Sequence, residues 1–267
     1  MLSDFPVFAS TAAAVTGRVR HAEQVMGTVV SFDVPAAAGA GGSLDDAVRW
    51  LHWVDRVFSS YRPDSDVSLL AAAEITVDGC APEVAEVITS CAALRLFSGG
   101  YFSAAPDGVF DPSGYVKGWA VERCAEILSR AGSVSHLVNG GGDVQCVGGR
   151  SSSGEPWRVG IADPRRPGRL ALVVEAADSA VATSGTAERG AHIVNPRAGR
   201  PASGLASLTV VGPSLALADA FATAAFAMGP SLARDWTESL DGYHAYAIMP
   251  SGDTWQTSGF AAHIAAD

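Results

Sequence analysis

Lysine is almost missing from this sequence of 267 residues: of its 18 basic residues 17 are arginine, and only Lys117 is lysine. The basic residues form no run, and the formal net charge is −10. A general nucleic-acid binder needs Lys and Arg gathered on one face to neutralise phosphates, so that class is disfavoured. Cysteine is sparse as well. Cys80, Cys91, Cys124 and Cys146 stand far apart and outside any metal-ligand spacing. Reduced, buried thiols are expected there, not a disulfide framework or a zinc site. No apolar run approaches the ~18–20 residues of a membrane-spanning helix. The opening MLSDFPVFASTAAAVTGRVR lacks a basic start, carries Asp4 and is broken by Pro6 and hydroxyl residues, so it does not read as a secretory signal. A cytoplasmic location is the expectation. There is no internal repeat, and the Gly-rich stretch at 139–144 lacks the spacing of a dinucleotide fingerprint or P-loop.

What is present is globular: 48% apolar and 17% charged residues, spread throughout. Helices are expected from Ser43, as a cap, through Phe58; from Pro82 to the stop at Gly99-Gly100; from about Gly118 to Arg130; and from about Leu215 to Met228. Strand patterns lie at Thr28–Val34, His136–Val138, Val144–Val147, Trp157–Ile161, Leu170–Glu175, Ser179–Thr183, Leu208–Val211 and Tyr243–Met249. Many strands follow one another directly, which points to an α+β fold with mixed, mainly antiparallel sheets and packed helices. Residues 1–25 read as an N-terminal extension or first strand, and 26–267 as a single domain.

Four segments carry candidate chemistry. In SLALADAFATAAFAMG (214–229), Asp219 and Thr223 lie one turn apart on one helix face. A carboxylate in so apolar a helix needs a partner. The pair suits a hard cation such as Mg²⁺; alternatively Asp219 caps local amides and Thr223 bonds back to the carbonyl of residue 219. In FDPSGYVKGWAVE (110–122), Asp111 to Gly114 read as a turn, with Lys117 and Gly118 leading into a helix. That is a natural phosphate site or a plain turn and cap. The lone lysine either supplies a compact ammonium that arginine's planar fork cannot replace, or survives by chance. NGGGDV (139–144) reads as a tight turn with Asp143 bonding its own backbone. AVATSGTAERGAHIVNPRAGRP (180–201) delivers His192 ahead of Ile193-Val194, as a structural or a catalytic histidine.

Together MGT (26–28), FSSYRPDSDVS (58–68), DPSGYVKGWAVE (111–122), GGD (141–143), ATSG (182–185), HIVNPRAG (192–199) and ADAFATAAFAMG (218–229) stand in an order that resembles the ApbE family of FAD:protein FMN transferases. The likeness spans about residues 26–260. It implies an ApbE-like (T-fold-like) architecture with FAD as substrate beside a Mg²⁺ site. The matching metal ligands are Asp219, Thr223 and the carbonyl of Gly114. The matching flavin-pocket residues are Met26, Tyr61, Asp111, Lys117 and Val194, with Phe102 and Ser103 matching more loosely. His192 falls on the family's catalytic histidine, and Lys117 can assist Mg²⁺ in neutralising the pyrophosphate. The implied reaction moves FMN from FAD to a threonine or serine hydroxyl of an acceptor flavoprotein and releases AMP.

Three departures stand out. Ser103 replaces the family's usual aspartate, Asn195 stands where aspartate is common, and the loop from Thr186 to Ala191 is short. They bear on the pocket wall, on the orientation of His192 and on acceptor choice. Two other outcomes share these residues: Mg²⁺-dependent hydrolysis of FAD to FMN and AMP, and FAD binding without chemistry.

Overall fold

A computed structural model describes residues 17–36, 42–106, 108–151, 153–186, 190 and 193–266. The chain opens with a hairpin, β1 (Arg18–Val25) and β2 (Thr28–Pro35), then helices α1 (Ser43–Phe58), α2 (Asp66–Ala71), α3 (Pro82–Phe97) and α4 (Ser113–Arg130). Strands β3 (His136–Gly140), β4 (Asp143–Val147), β5 (Trp157–Ala162), β6 (Leu170–Ala176) and β7 (Ser179–Gly185) come next, followed by the short pair β8 (Val194–Asn195) and β9 (Arg200–Pro201). The chain ends with β10 (Ser207–Gly212), α5 (Leu215–Met228), α6 (Pro230–Glu238), β11 (His244–Ile248) and β12 (Thr254–Gln256). Among the described residues, eight strands form one sheet in the order β1-β2-β3-β4-β7-β10-β11-β12. Its neighbours pair antiparallel.

Period-two alternation decides what each face of this sheet carries. On β4, Val144 and Cys146 join a cluster with Trp157, Val159, Val174 and Phe260 under the β5–β6 hairpin. Asp143 and Gln145, between them in phase, face the helices instead. On β7 and β10, Ala180, Ala182, Leu208 and Val210 enter the helix-side core, while Val181 and Val211 enter the other. Three layers result: helices, the large sheet, and the β5–β6 hairpin with the C-terminal segment.

Helix α5 is apolar on nearly every side because it is enclosed. It packs on β7 and β10 below and against α4 and α6 at its flanks. Helix α1 has the narrower pattern of a surface helix, burying Leu44, Ala47, Leu51, Val54 and Phe58. Its aromatic residues lock it to α4. Trp50 stacks on Trp53 at 4.9 Å and meets Trp119 edge-on at 5.1 Å, and Phe58 meets Trp119 at 5.4 Å. Trp50 Nε1 also donates to the Ala120 carbonyl at 3.2 Å.

Two expectations need correction. The first helix begins at Ser43 with Gly42, in the left-handed region at φ 76°, as its N-cap, so Ser43 is not the cap. Helix α4 begins at Ser113, five residues before the expected start. Pro112, at φ −82°, is the N-cap, so the predicted turn at 111–114 runs directly into the first residues of α4. The two glycines at 114 and 118 mask that start in the sequence because glycine is a poor helix former. The other predicted helices and strands are found at their expected places. Helices α2 and α6, strand β12 and the β8–β9 pair had no sequence expectation. Cys91, Cys124 and Cys146 are buried free thiols, and burial pushes Cys91 and Cys146 up to about 12.

Gly118 sets how closely α4 and α5 cross. A Cβ at this position would lie 2.7 Å from the Leu215 carbonyl oxygen and 2.9 Å from Asp219 Cβ. Gly118→Ala is therefore expected to destabilise the fold by about 1–3 kcal/mol through overpacking against backbone, read from the shift of the urea unfolding midpoint. A midpoint equal to the wild type would show that the two helices separate freely.

His136 ties β3 to α4 and is fully buried. Its Nε2 donates to the Ala125 carbonyl at 3.0 Å, and its Nδ1 faces the Ser133 hydroxyl at 3.0 Å, which fits a neutral ring protonated on Nε2. Burial lowers its pKa from 6.5 to about 4, with Arg18 adding to the effect and the Ala125 carbonyl opposing it. Between those values the unfolded chain binds a proton that the folded chain does not, so stability falls as pH falls through this window. The expected loss from this group is about 3 kcal/mol. Unfolding midpoints at pH 7 and pH ~4.5 should converge in His136→Gln relative to the wild type; an equal pH dependence in both proteins would assign it to other groups.

Candidate functional site

The site is built where α4, β4 and α5 meet. Ser214 caps α5, accepting from Leu217 N at 3.3 Å. Two side chains from the other elements hold this end of the helix. Glu122 of α4 accepts from Ala216 N at 2.7 Å and Ser214 Oγ at 2.8 Å, and Gln145 of β4 accepts from Leu215 N at 3.1 Å. A carboxylate here also complements the positive end of the helix dipole. One and a half turns further along, Asp219 points at α4.

Asp219 is 5% exposed. Its Oδ2 accepts from Gly118 N at 3.1 Å and lies 3.1 Å from Lys117 Nζ. The capping alternative is therefore overturned, because Ser214 caps α5 and Asp219 bonds across to the neighbouring helix. Oδ1 accepts no hydrogen bond from the described residues. Lys117 also pairs with Asp143, whose Oδ1 accepts from Thr183 N at 2.9 Å. Asp143 thus binds β7 and α4 instead of its own turn. The turn itself is the tight one expected: Gly141 and Gly142, at φ 61° and 96°, join the paired residues Gly140 and Asp143. Lys117 sits within α4, with its ammonium turned to carboxylates; it does not stand at an open helix start as the phosphate-loop expectation had it.

Thr223 Oγ1 lies 3.3 Å from Ser184 Oγ of β7, so its hydroxyl is directed to the sheet and the residue-219 carbonyl alternative is also set aside. Gly114 lies beside it, since a Cβ there would be 4.0 Å from Thr223 Cγ2 and 3.7 Å from the Phe102 ring. Asp219, Thr223 and Ser184 carry hard oxygen atoms, the donor chemistry Mg²⁺ prefers, and Gly114 lies beside Thr223. Among the described residues, no cluster of three or more His, Cys, Asp or Glu side chains offers another metal site.

The remaining expected residues are placed as follows. Phe102 is 1% exposed, held by its amide donating to Ser98 Oγ at 2.9 Å. Ser103 Oγ accepts from Ala105 N at 3.1 Å, closing a local turn. Asp111 Oδ1 accepts from Ser113 N at 3.0 Å, at the entrance of α4. Met26 occupies the β1–β2 turn at φ 53°, a left-handed position that costs a non-glycine residue about 1–2 kcal/mol. Tyr61 is 95% exposed. Val194 lies on β8, which packs against α5. Phe102, Gly114, Lys117, Asp219 and Thr223 are thus brought together. Met26 and Tyr61 form no hydrogen bond or ring contact with that group among the described residues. His192 lies outside the described residues. Asn195 has a reason of its own: Nδ2 donates to the Ala227 carbonyl at 2.9 Å, which an aspartate cannot do, while Oδ1 accepts from Arg197 N and Ala198 N.

Four residues of this arrangement were not named as site residues from sequence: Asp143, Glu122, Gln145 and Ser184. The signal for two of them was the phase of β4, where Asp143 and Gln145 alternate with Val144 and Cys146.

The ApbE family model matches residues 26–109 and 103–247. The FAD:protein FMN transferase of Rhodobacter capsulatus is 31% identical over 213 residues, covering 75% of this chain and 37% of that protein. That of Escherichia coli K12 is 30% identical over 162 residues, covering 57% and 46%. The chain's matches thus span less than half the length of these curated relatives. Among solved structures, the flavin transferase ApbE from Vibrio cholerae has a TM-score of 0.80 at 22% identity, covering 92% of this chain and 99% of that one. The ApbE protein from Thermotoga maritima gives 0.82 at 20%, covering 93% and 100%. The last two show the fold, and the family model reaches across most of the chain and takes in both helices that meet at Gly118 and Asp219: this protein belongs to the ApbE family.

Proposed function

We infer that this protein transfers the FMN half of FAD to a threonine or serine hydroxyl of an acceptor flavoprotein and releases AMP. The observation that carries this reading is the crossing of α4 and α5, which gathers Asp219, Thr223, the Gly114 backbone and Lys117 at one point. The curated relatives named above as FAD:protein FMN transferases support it.

Asp219 Oδ1, Thr223 Oγ1 and the Gly114 carbonyl are the groups that would hold Mg²⁺. When bound, that ion would neutralise charge on the pyrophosphate and on the departing phosphate. The work of the chain's own residues is positioning and electrostatics, as in other phosphoryl transfers. Lys117 holds a compact ammonium between Asp143 and Asp219, from which it donates a hydrogen bond to a substrate phosphate. Phe102 supplies an apolar wall next to Gly114. His192, by its match to the family's catalytic histidine, takes the proton of the acceptor hydroxyl. The freed oxygen attacks the FMN phosphorus, the bond from that phosphorus to the bridging oxygen breaks, and AMP leaves with that oxygen.

The test incubates the protein with FAD, Mg²⁺ and a threonine-containing acceptor domain, and follows the acceptor's intact mass and AMP. A mass gain of one FMN, lost on adding EDTA, is expected. AMP without a mass gain would replace transfer by hydrolysis, and bound FAD with neither signal would replace it by simple binding. Asp219→Ala should lower turnover by about 10²–10³-fold while the protein keeps a folded circular-dichroism spectrum; wild-type turnover would remove the metal assignment. His192→Ala should still bind FAD, as read by flavin fluorescence, while the acceptor's mass stays fixed. Loss of FAD binding in that variant would make His192 a pocket residue instead.

A further inference from the structure

Two buried carboxylates share one ammonium at the α4–α5 crossing. Lys117 pairs with Asp143 and with Asp219, whose side chains are 3% and 7% exposed, and no other cation pairs with either among the described residues. The next carboxylate along α4, Glu122, is engaged by Ser214 and Ala216. The three charges therefore sum to one negative charge. Without Asp143, Lys117 and Asp219 would form a neutral pair, and a neutral pair attracts a cation weakly.

Asp143 is well placed to prevent that. It stands on a strand, directly after the two-glycine turn, and its other oxygen is fixed by Thr183 N at 2.9 Å. Its position therefore belongs to the sheet, while Lys117 and Asp219 belong to the two helices. We propose that Asp143 is a positioning residue that draws the Lys117 ammonium toward the sheet, so that Asp219 keeps the negative charge with which it takes a divalent cation. This rests on the transferase reading of the same site, and it adds a role to a residue that is not itself a metal ligand.

The charge count makes the proposal testable without turnover. Mn²⁺ alone is titrated into the full chain, and the free ion is counted by electron paramagnetic resonance. Asp143→Asn keeps the size of the side chain and an oxygen for Thr183 N, and is expected to weaken Mn²⁺ binding about 10-fold. Lys117→Met removes the competing ammonium and is expected to tighten it. The double variant leaves Asp219 alone with one negative charge, as in the wild-type sum, and should bind close to the wild type. That return distinguishes charge sharing from local damage, because damage at 143 would persist in the double variant. If Asp143→Asn fails to fold, Lys117→Met decides: tighter binding supports the proposal, and unchanged or weaker binding overturns it. Asp219→Asn serves as the reference. Binding lost there yet unchanged in Asp143→Asn overturns this inference alone; binding retained in Asp219→Asn overturns the metal reading and this inference with it.

Discussion

Asp219 carries a carboxylate into a helix that is otherwise apolar, and much of the surrounding architecture answers its desolvation. An unpaired buried charge is strongly destabilising, whereas one with an opposite charge and an amide donor can be held. Both partners come from α4, as the Lys117 ammonium and the Gly118 amide. For the amide to reach, the two helix backbones must nearly touch, and only a residue without a side chain permits it. The close crossing then carries Gly114, one turn earlier, to Thr223, one turn later. One electrostatic requirement on one side chain thus brings Gly114, Asp219 and Thr223 to one place.

The sheet completes what the helices begin. Because successive residues of β4 and β7 face opposite ways, the same strands seal the apolar layer under the β5–β6 hairpin and send polar groups upward. Asp143 and Gln145 rise from β4 and Ser184 from β7, to Lys117, the α5 amides and Thr223 respectively. A slip of one residue in either strand would bury these groups under the hairpin and expose valines to the site. The antiparallel register, pinned at one end by the Gly141-Gly142 turn, is therefore part of the site.

Much of this was legible in the sequence, for reasons that can be named. Helices α3 and α5 have strong punctuation, with Pro82 and Gly99 around one and Ser214 and Gly229 around the other, and were found at their ends. Most strands of the large sheet carry apolar patterns clear enough to read, but the three-residue β12 does not. The pair Asp219 and Thr223 was visible because a polar residue in an apolar helix is conspicuous. The start of α4 was hidden by its two glycines, whose weak helix propensity is overridden by packing against α5. Asp143 was hidden for a different reason. After glycines an aspartate reads as turn chemistry, and only the strand pairing of β4 with β7 reveals that its oxygen reaches Thr183, 40 residues away in the chain. Local signals cannot carry such a partner.

The arrangement of partners constrains how α5 can move. Helix α4 and strand β4 each meet α5, or a residue bound to it, at two levels. At the lower level Glu122 and Gln145 both accept from amides at the start of α5. At the upper level Lys117 and Asp143 pair with one another, and Lys117 with Asp219. Two points of attachment fix rotation of α5 about its axis as well as its translation, which one point would not. Rotation matters here, because Asp219 and Thr223 leave the helix on one narrow face and a turn of the axis would carry both away from Gly114. The lower contacts use the helix's unsatisfied first amides, which need acceptors in any fold. The upper contacts use charges that a structural helix would do without. Stability accounts for the first pair, while the second holds an ammonium and two carboxylates together at the helix crossing.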